Sequence, residues 1–365
     1  MLSHAVGVAP RAKEVYEVLK ERIRFLATGI PLPSMLELRD EFQVSQGVIE
    51  KAFVALEAQG LIERKPRKGV FVADRMATGE VAIVMTRRSL EPSVSPGYNA
   101  TCSALASVFE EYASPYKVKL HLGNSVVSGD EFPGTLDILE PHVLLRLRGV
   151  FSFHPLYEVE SKLEAAHVPV VYSCQFGHYG VYFNRKEMVR ESVAHLVETG
   201  CRSICLLLPK YTGTYLGSSF VDVSAVFSQI CSDQGVVHWN ESIPYKEGGF
   251  TEQHGFDLFM QMWEKSDHPH ATRPDGVLVL DEVLCAGVLR AIQRLGLSLP
   301  DDLRLITQTT KGLALPYHDP VTRVEYDVEA QARCVVEMME TLQRGDEPEQ
   351  KKVVLKGVLV KGKTT

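Results

Sequence analysis

The feature that most limits how this chain can fold is a short apolar run that recurs with little polar interruption: VAIVM at 81–85, SICLLL at 203–208 and GVLVL at 276–280. Such a run fits a strand buried on both faces of a parallel sheet, where the usual in–out alternation is lost. Further strand candidates lie at 116–122, 142–147, 168–173 and 303–307. Between them, helical spacing recurs over 98–113, 155–167, 185–199, 219–234, 250–264, 282–295 and 328–344. Alternating strand and helix predicts an α/β fold, with helices on both faces of parallel sheets. The 290 residues from 76 to 365 are too many for one such sheet, so two doubly wound lobes are expected there.

Residues 1–75 follow a different period. Val15, Val18, Leu19, Ile23 and Leu26 share the inner face of a helix predicted over 11–27, which Thr28-Gly29 ends. Pro31 and Pro33 then keep the chain extended. Ser34, with Glu37 three residues on, is a capping box for a second short helix ending at Phe42. Ser45 caps a third, which runs to Gln59 with Val48, Ile49, Ala52, Phe53 and Leu56 inward and Gly60 as its stop. Two helices joined by a short turn form a helix-turn-helix, whose second helix can enter the major groove. Ser45, Gln46, Gly47, Glu50 and Lys51 would then face the bases. LIER and GVFV follow as two short strands around Lys65-Pro66-Arg67-Lys68, with Arg64 and Gly69 at the base of the hairpin. A basic hairpin in that place is a wing, suited to phosphates or a minor groove. The plainer alternative is a small helical bundle with a solvated charge run. Three helices followed by a basic hairpin favour the winged helix-turn-helix.

The stretch LPSMLELRDEFQVSQGVIEKAFVALEAQGLIERKPRKGVFV resembles the winged helix of the GntR family. Its LPS start at Ser34, the VS before the reading helix, the A…L…GLI spacing and the G-x-F-V wing carry the likeness. The family commonly has arginine where this chain has Leu36, Gln46 and Glu50, and there those arginines contact bases and phosphates. Glu50 would repel phosphate unless it accepts from a cytosine amine or is neutralised by Lys51. The resemblance thus implies a DNA reader with three open outcomes: an altered operator, weak shape-based binding through Arg39, Lys51 and the wing, or lost DNA binding.

Charge agrees with a head on a larger body. The net charge is −7, but residues 1–75 hold 12 Lys+Arg against 10 Asp+Glu, and the remainder 27 against 36. A mildly basic module on an acidic body fits a small nucleic-acid-binding head. Seven scattered cysteines without C-x-x-C, and no signal peptide or membrane-length apolar stretch, point to reduced thiols in a cytoplasmic protein. His268-Pro-His270 lacks partners at ligand spacing and reads as a surface loop, so neither metal nor cofactor is expected. Without G-x-S-x-G, H-E-x-x-H or a P-loop, and with Glu110-Glu111 reading as a solvated helix face, no enzyme is expected either.

In the body, VYFNRKEMVRESVAHLVETGCRSICLL, RPDGVLVLDEVLCAGVLRAIQRLGLSLPDDLRLIT and DPVTRVEYDVEAQARCVVEMM resemble the sensor domain of the LacI/GalR repressors, which has the periplasmic-binding-protein type I fold. The likeness spans 80–360, strong from 180 to 340 and weak from 87 to 165. Asn184 stands where that family usually has aspartate, and Cys201 replaces a histidine. The LacI family's own head and hinge helix are absent. A GntR head on such a body is the combination found in arabinose-responsive repressors. The resemblance implies a homodimer that binds double-stranded operator DNA and a small-molecule effector, a sugar, between two lobes.

In this fold ligands sit at the carboxyl ends of the strands. That points to Arg87 and Arg88 after the first strand, Tyr98 on the next helix, Arg148, Lys210 and Tyr211 after a second-lobe strand, and Asp281. The resemblance makes Asp281 the ligand-binding aspartate, able to accept two sugar hydroxyls. The sequence supports it equally as a helix N-cap. Tyr98 also reads as a core residue, and the others as solvated loop. The segment KYTGTYLGSSFVDVSAVF lacks the arginine that the family places there, so no particular sugar is implied. The expectation is a winged helix-turn-helix at 1–75 on a two-lobed effector-binding and dimerisation domain at 76–365, together a ligand-responsive repressor. The alternative is a sensor whose head no longer reads DNA.

Overall fold

A computed structural model of the chain describes residues 10–24, 26, 29–58, 61–73, 79–86, 96–111, 117–123, 137–144, 146–153, 156, 158–175, 177–210, 214–244, 251–264 and 273–365. It opens with α1 (Pro10–Arg24), α2 (Met35–Phe42) and α3 (Gln46–Ala58), followed by the antiparallel hairpin of β1 (Ile62–Lys65) and β2 (Gly69–Val72). Leu19, Ile23, Leu38, Ile49, Phe53 and Leu56 meet in one core. Removing each such side chain from water is worth about 1.5–3 kcal/mol. The capping box is formed: Ser34 Oγ accepts from Glu37 N at 3.3 Å, and the Glu37 carboxylate accepts from Ser34 N at 2.7 Å. Gln43 closes α2 in the left-handed region, φ 51°, which turns the chain sharply toward α3. Val18 and Leu26, expected to face inward, are 42% and 37% exposed. The buried stripe of α1 is Ala12, Val15, Leu19 and Ile23, which turns Val18 outward, and Leu26 lies beyond the helix.

Two six-stranded sheets form the lobes. The first contains β3 (Glu80–Thr86), β4 (Lys117–Gly123), β5 (Leu147–Ser152), β6 (Val170–Tyr172), β7 (Tyr179–Phe183) and β13 (Lys352–Leu355), in the order β13-β7-β6-β5-β3-β4. The second contains β8 (Ser203–Lys210), β9 (Val237–Pro244), β10 (Gly276–Val279), β11 (Arg304–Thr310), β12 (Thr322–Tyr326) and β14 (Val358–Val360), in the order β14-β12-β11-β10-β8-β9. Every pairing is parallel except β12 with β14.

Each sheet is buried on both faces, as the unbroken apolar runs require. In β8, Ile204, Leu206 and Leu208 pack toward α7 (Arg185–Glu198) and α8 (Thr214–Asp233). Cys205 and Leu207 pack the other way, toward α9 (Glu252–Glu264) and α10 (Glu282–Leu295). In the first lobe Val81, Ile83 and Met85 face α4 (Pro96–Glu111) and α11 (Val328–Gln343). Ala82 and Val84 face the layer of α5 (Pro141–Leu144) and α6 (Glu158–Ala165).

The chain crosses between lobes three times, after Phe183, Tyr326 and Leu355. The crossings touch: Asn184 N donates to Leu355 O at 2.8 Å, and the Phe183 and Tyr326 rings lie 4.8 Å apart. The strand expected at 142–147 is displaced. Pro141 opens a helical turn, with Val143 N and Leu144 N bonded to Glu140 O, and β5 starts only at Leu147. Proline loses nothing at a first helical position, so an apolar run that begins there has a helical option. Strands β9 and β12 had no clear apolar run because they interleave polar residues, and β7, β13 and β14, at or beside a sheet edge, are apolar runs of only three to five residues. Among the described residues no helix is long and apolar enough to cross a membrane.

Candidate nucleic-acid interface and ligand cleft

On α3, Gln46, Gly47, Lys51 and Val54 point outward and Glu50 is partly exposed, while Ile49, Ala52, Phe53 and Leu56 are buried. A 3.6-residue period stacks Gln46, Glu50 and Val54 on one face. Val54 is 53% exposed and Leu36 on α2 is 58% exposed. Thymine methyl groups are what apolar chains meet in a major groove. Val54 was not singled out by motif, although the four-residue step from Gln46 through Glu50 leads to it.

Glu50 is neutralised by Arg64 of the wing. Arg64 Nη1 lies 2.7 Å from Glu50 Oε1, and Arg64 Nε lies 2.9 Å from Glu57 Oε2. The guanidinium also sits 5.9 Å from the Phe53 ring centroid. Other head cations pair locally: Arg39 with Asp40 at 2.8 Å and Lys65 with Glu63 at 2.6 Å. Exposed pairs of this kind contribute about 0–1 kcal/mol each, so phosphate can displace them. Arg67 and Lys68 are exposed at the hairpin tip, where Arg67 takes φ 63° and Gly69 φ 115°. Ser45 O accepts from Val48 N and Ile49 N at 3.0 and 3.4 Å, opening α3. Ser34 serves its cap.

The seam between the lobes is built from a polar cluster. Asp281 follows β10 and caps α10, its Oδ1 accepting from Leu284 N at 2.8 Å. The residue keeps some exposed surface, yet its carboxyl lies deep, and burial pushes it up to about 7 against the pull of that hydrogen bond. Arg185, at the start of α7, is the nearby cation that favours the ionised form. Tyr326 Oη donates to Gln308 Oε1, and Gln308 Nε2 donates to Leu280 O at 2.5 Å. Burial raises the Tyr326 hydroxyl.

Glu282 ties the lobes together. Its Oε2 accepts from Thr310 N at 3.0 Å and Thr309 Oγ1 at 3.2 Å, within its own lobe. Its Oε1 accepts from Gly97 N of the other lobe at 2.9 Å. Gly97 is the second residue of α4, where a helical N–H has no intrahelical acceptor, so Glu282 supplies one. Burial raises this carboxyl too, and the three hydrogen bonds oppose the rise. A Cβ on Gly97 would come within 2.9 Å of Thr310 Oγ1, so any larger residue there would have to displace that hydroxyl. Beside the latch lies an open hollow of about 360 Å³, lined by Pro96 of the first lobe and by Thr251, Glu282, Ala286 and Leu315 of the second. Small-molecule sites fall in the range of ~300–1,000 Å³. Its floor depends on α9 and α10 touching: a Cβ on Gly287 would lie 1.8 Å from Glu252 O, and one on Gly255 2.1 Å from Leu284 O.

Of the effector candidates, Asp281 stands at the seam, Lys210 ends β8 and Tyr98 falls in the first turn of α4. Arg87, Arg88 and Tyr211 lie outside the described residues, as do His268 and His270. Arg148 does not stand at the cleft where the sequence placed it. It is the second residue of β5, near the amino end, four residues before Ser152, or roughly 13 Å from the carboxyl end. Its expected place rested on the strand having ended at 147, whereas the strand begins there. Arg185, Glu282, Gln308 and Tyr326 were missed. Glu282 is the neighbour of Asp281 and was legible as a second carboxylate, but Gln308 and Tyr326 meet only because β11 and β12 pair side by side in the second sheet. Asn184 caps α7, accepting from Glu187 N at 3.1 Å, which an amide oxygen does as an aspartate would. Cys201 is buried, and a Cβ on Gly276 would lie 2.8 Å from its Sγ.

Residues 11–72 match the family model of the bacterial regulatory proteins of the gntR family, and residues 193–365 match the periplasmic binding protein-like domain. The HTH-type transcriptional regulator GalR of Streptococcus thermophilus is 26% identical over 227 residues, which span 60% of this chain and 62% of that protein. The Lac repressor dimer bound to operator and the anti-inducer ONPF superposes with a TM-score of 0.63 at 20% identity, over 86% of this chain and 98% of that one. A LacI family transcriptional regulator from Arthrobacter sp. FB24 in complex with lactose gives 0.59 at 17% identity, over 79% and 99%. CcpA of Lactococcus lactis gives 0.61 at 15% identity, over 79% and 99%. At these identities the solved structures speak to fold.

Proposed function

We propose that this chain, which joins a GntR-family head to a periplasmic binding protein-like domain, is a ligand-responsive transcription regulator, acting as a repressor in the cytoplasm. Its head, residues 1–75, binds double-stranded operator DNA, and its body, residues 76–365, dimerises and holds a small molecule, a sugar, between the lobes. The observation that carries this is one chain presenting both an outward polar face on α3 beside a basic hairpin and a two-lobed cleft tied across by Glu282. The operator and lactose complexes of similar folds support it.

In the cleft, Asp281 and Arg185 offer an acceptor and a donor to hydroxyl groups, and the hollow beside Glu282 gives the ligand room. A ligand that favours one lobe arrangement changes the spacing of two heads in a dimer, and a two-fold dimer calls for a near-palindromic operator. Coupling of that kind is typically about 1–3 kcal/mol. Selecting bound duplexes from a random library at near-physiological salt tests the reading, followed by a screen of sugars for release. A palindromic motif whose affinity moves with one sugar is expected. A motif indifferent to every small molecule would sink the sensor half.

A second reading is a sensor whose head has stopped reading DNA. Leu36, Gln46 and Glu50 in place of arginines favour it, as does the pairing of Arg39, Arg64 and Lys65 with carboxylates of the head itself. It predicts only unselective binding that falls steeply as salt rises.

A further inference from the structure

We infer that Glu50 and Arg64 form one reading unit, in which the wing arginine holds the helix carboxylate in place to select cytosine in the operator. The inference rests on the DNA-reading function proposed above and names the base it reads. A bare carboxylate on a groove-facing helix is repelled by phosphates. Here Arg64 cancels that charge from the side, bonded to Glu50 Oε1 at 2.7 Å and to Glu57 Oε2 at 2.9 Å. Two carboxylates and the Phe53 ring, 5.9 Å away, fix the guanidinium on the flank of α3. The side chains of Glu50 and Arg64 are still 40% and 33% exposed, so the pair is presented rather than buried. Arg64 occupies Oε1, which leaves Oε2 as an acceptor.

In the major groove only cytosine N4 and adenine N6 donate hydrogen bonds. Adenine sets an acceptor, N7, beside its amine, which a carboxylate opposes and an amide matches. A held carboxylate therefore selects cytosine. Gln46, one turn earlier on the same face, has the donor and acceptor that suit adenine. Four residues of helix rise about 6 Å, so the two contacts fall within about two base pairs of each other.

The test is duplex selection with the full-length chain and with Glu50→Ala, Glu50→Gln and Arg64→Ala. The expected result is one cytosine per half-site whose preference falls at least about fivefold in Glu50→Ala, with the other positions kept. Glu50→Gln moves that position to adenine. Arg64→Ala blurs the same position, because Glu50 is no longer held. A motif with no position that responds to Glu50→Ala overturns the assignment while leaving the DNA-reading function intact. Arg64→Ala that weakens all sequences equally and keeps the cytosine overturns the coupling of the two residues. No enriched motif at all overturns the assignment together with the function beneath it.

Discussion

Replacing Glu282 with glutamine should unlatch the lobes. The substitution keeps the side-chain shape but leaves one acceptor oxygen where the carboxylate has two. In the native chain Oε2 serves Thr310 N and Thr309 Oγ1 inside the second lobe, and Oε1 alone reaches Gly97 N in the first. With two donors on one side and one on the other, the remaining oxygen stays with the threonines, and an NH2 group faces the Gly97 N–H. A hydrogen bond to a charged acceptor contributes about 1.5–3 kcal/mol. Its loss should raise the open population about 10- to 150-fold. Amide hydrogen exchange at Gly97 reads this directly, because a first-turn helical N–H has no partner in its own helix. Gly97 should be protected in the native chain and lose protection by that factor in Glu282→Gln, while amides deep in α4 hold theirs. Equal Gly97 exchange rates in the two proteins would refute the latch.

Asp281 should make stability fall as pH rises. Its carboxyl sits at about 7 against an ordinary 3.8, so across that window the folded chain keeps a proton that the unfolded chain has shed. The loss amounts to up to ~4 kcal/mol between the two values. Asp281→Asn keeps a capping oxygen and should flatten the slope in urea denaturation followed from pH about 4 to about 8. An unchanged slope would show that the buried carboxyl is not its source. Gly287→Ala sets a methyl 1.8 Å from Glu252 O in the α9–α10 contact. Forcing these helices apart should cost about 1–3 kcal/mol by chemical denaturation and weaken any ligand in the adjoining hollow; native stability in this variant would contradict the close crossing.

Local pattern determined much of this protein. The capping box at Ser34, the inward stripe of α3, the basic turn at 65–68 and the two-sided strands around 81–85, 203–208 and 276–280 all come from neighbours in sequence, where spacing dictates which face is buried. That was enough for a winged helix and two parallel-sheet lobes. It also marked Asp281 correctly as an N-cap, because capping is a short-range bond. Only the tertiary structure decided which groups meet. Arg64 reaches Glu50 because a hairpin folds back onto a helix 14 residues earlier. Gly97 reaches Glu282 across 185 residues, and Tyr326 finds Gln308, 18 residues earlier, because β11 and β12 pair side by side as parallel strands of the second sheet. Arg148 shows the converse: a shift of one strand start moved a cation from the expected cleft to the far end of the sheet. Periodicity encodes which way a side chain points. What it touches is set by loop closure and by lobe packing, and those depend on contacts between residues far apart in the chain.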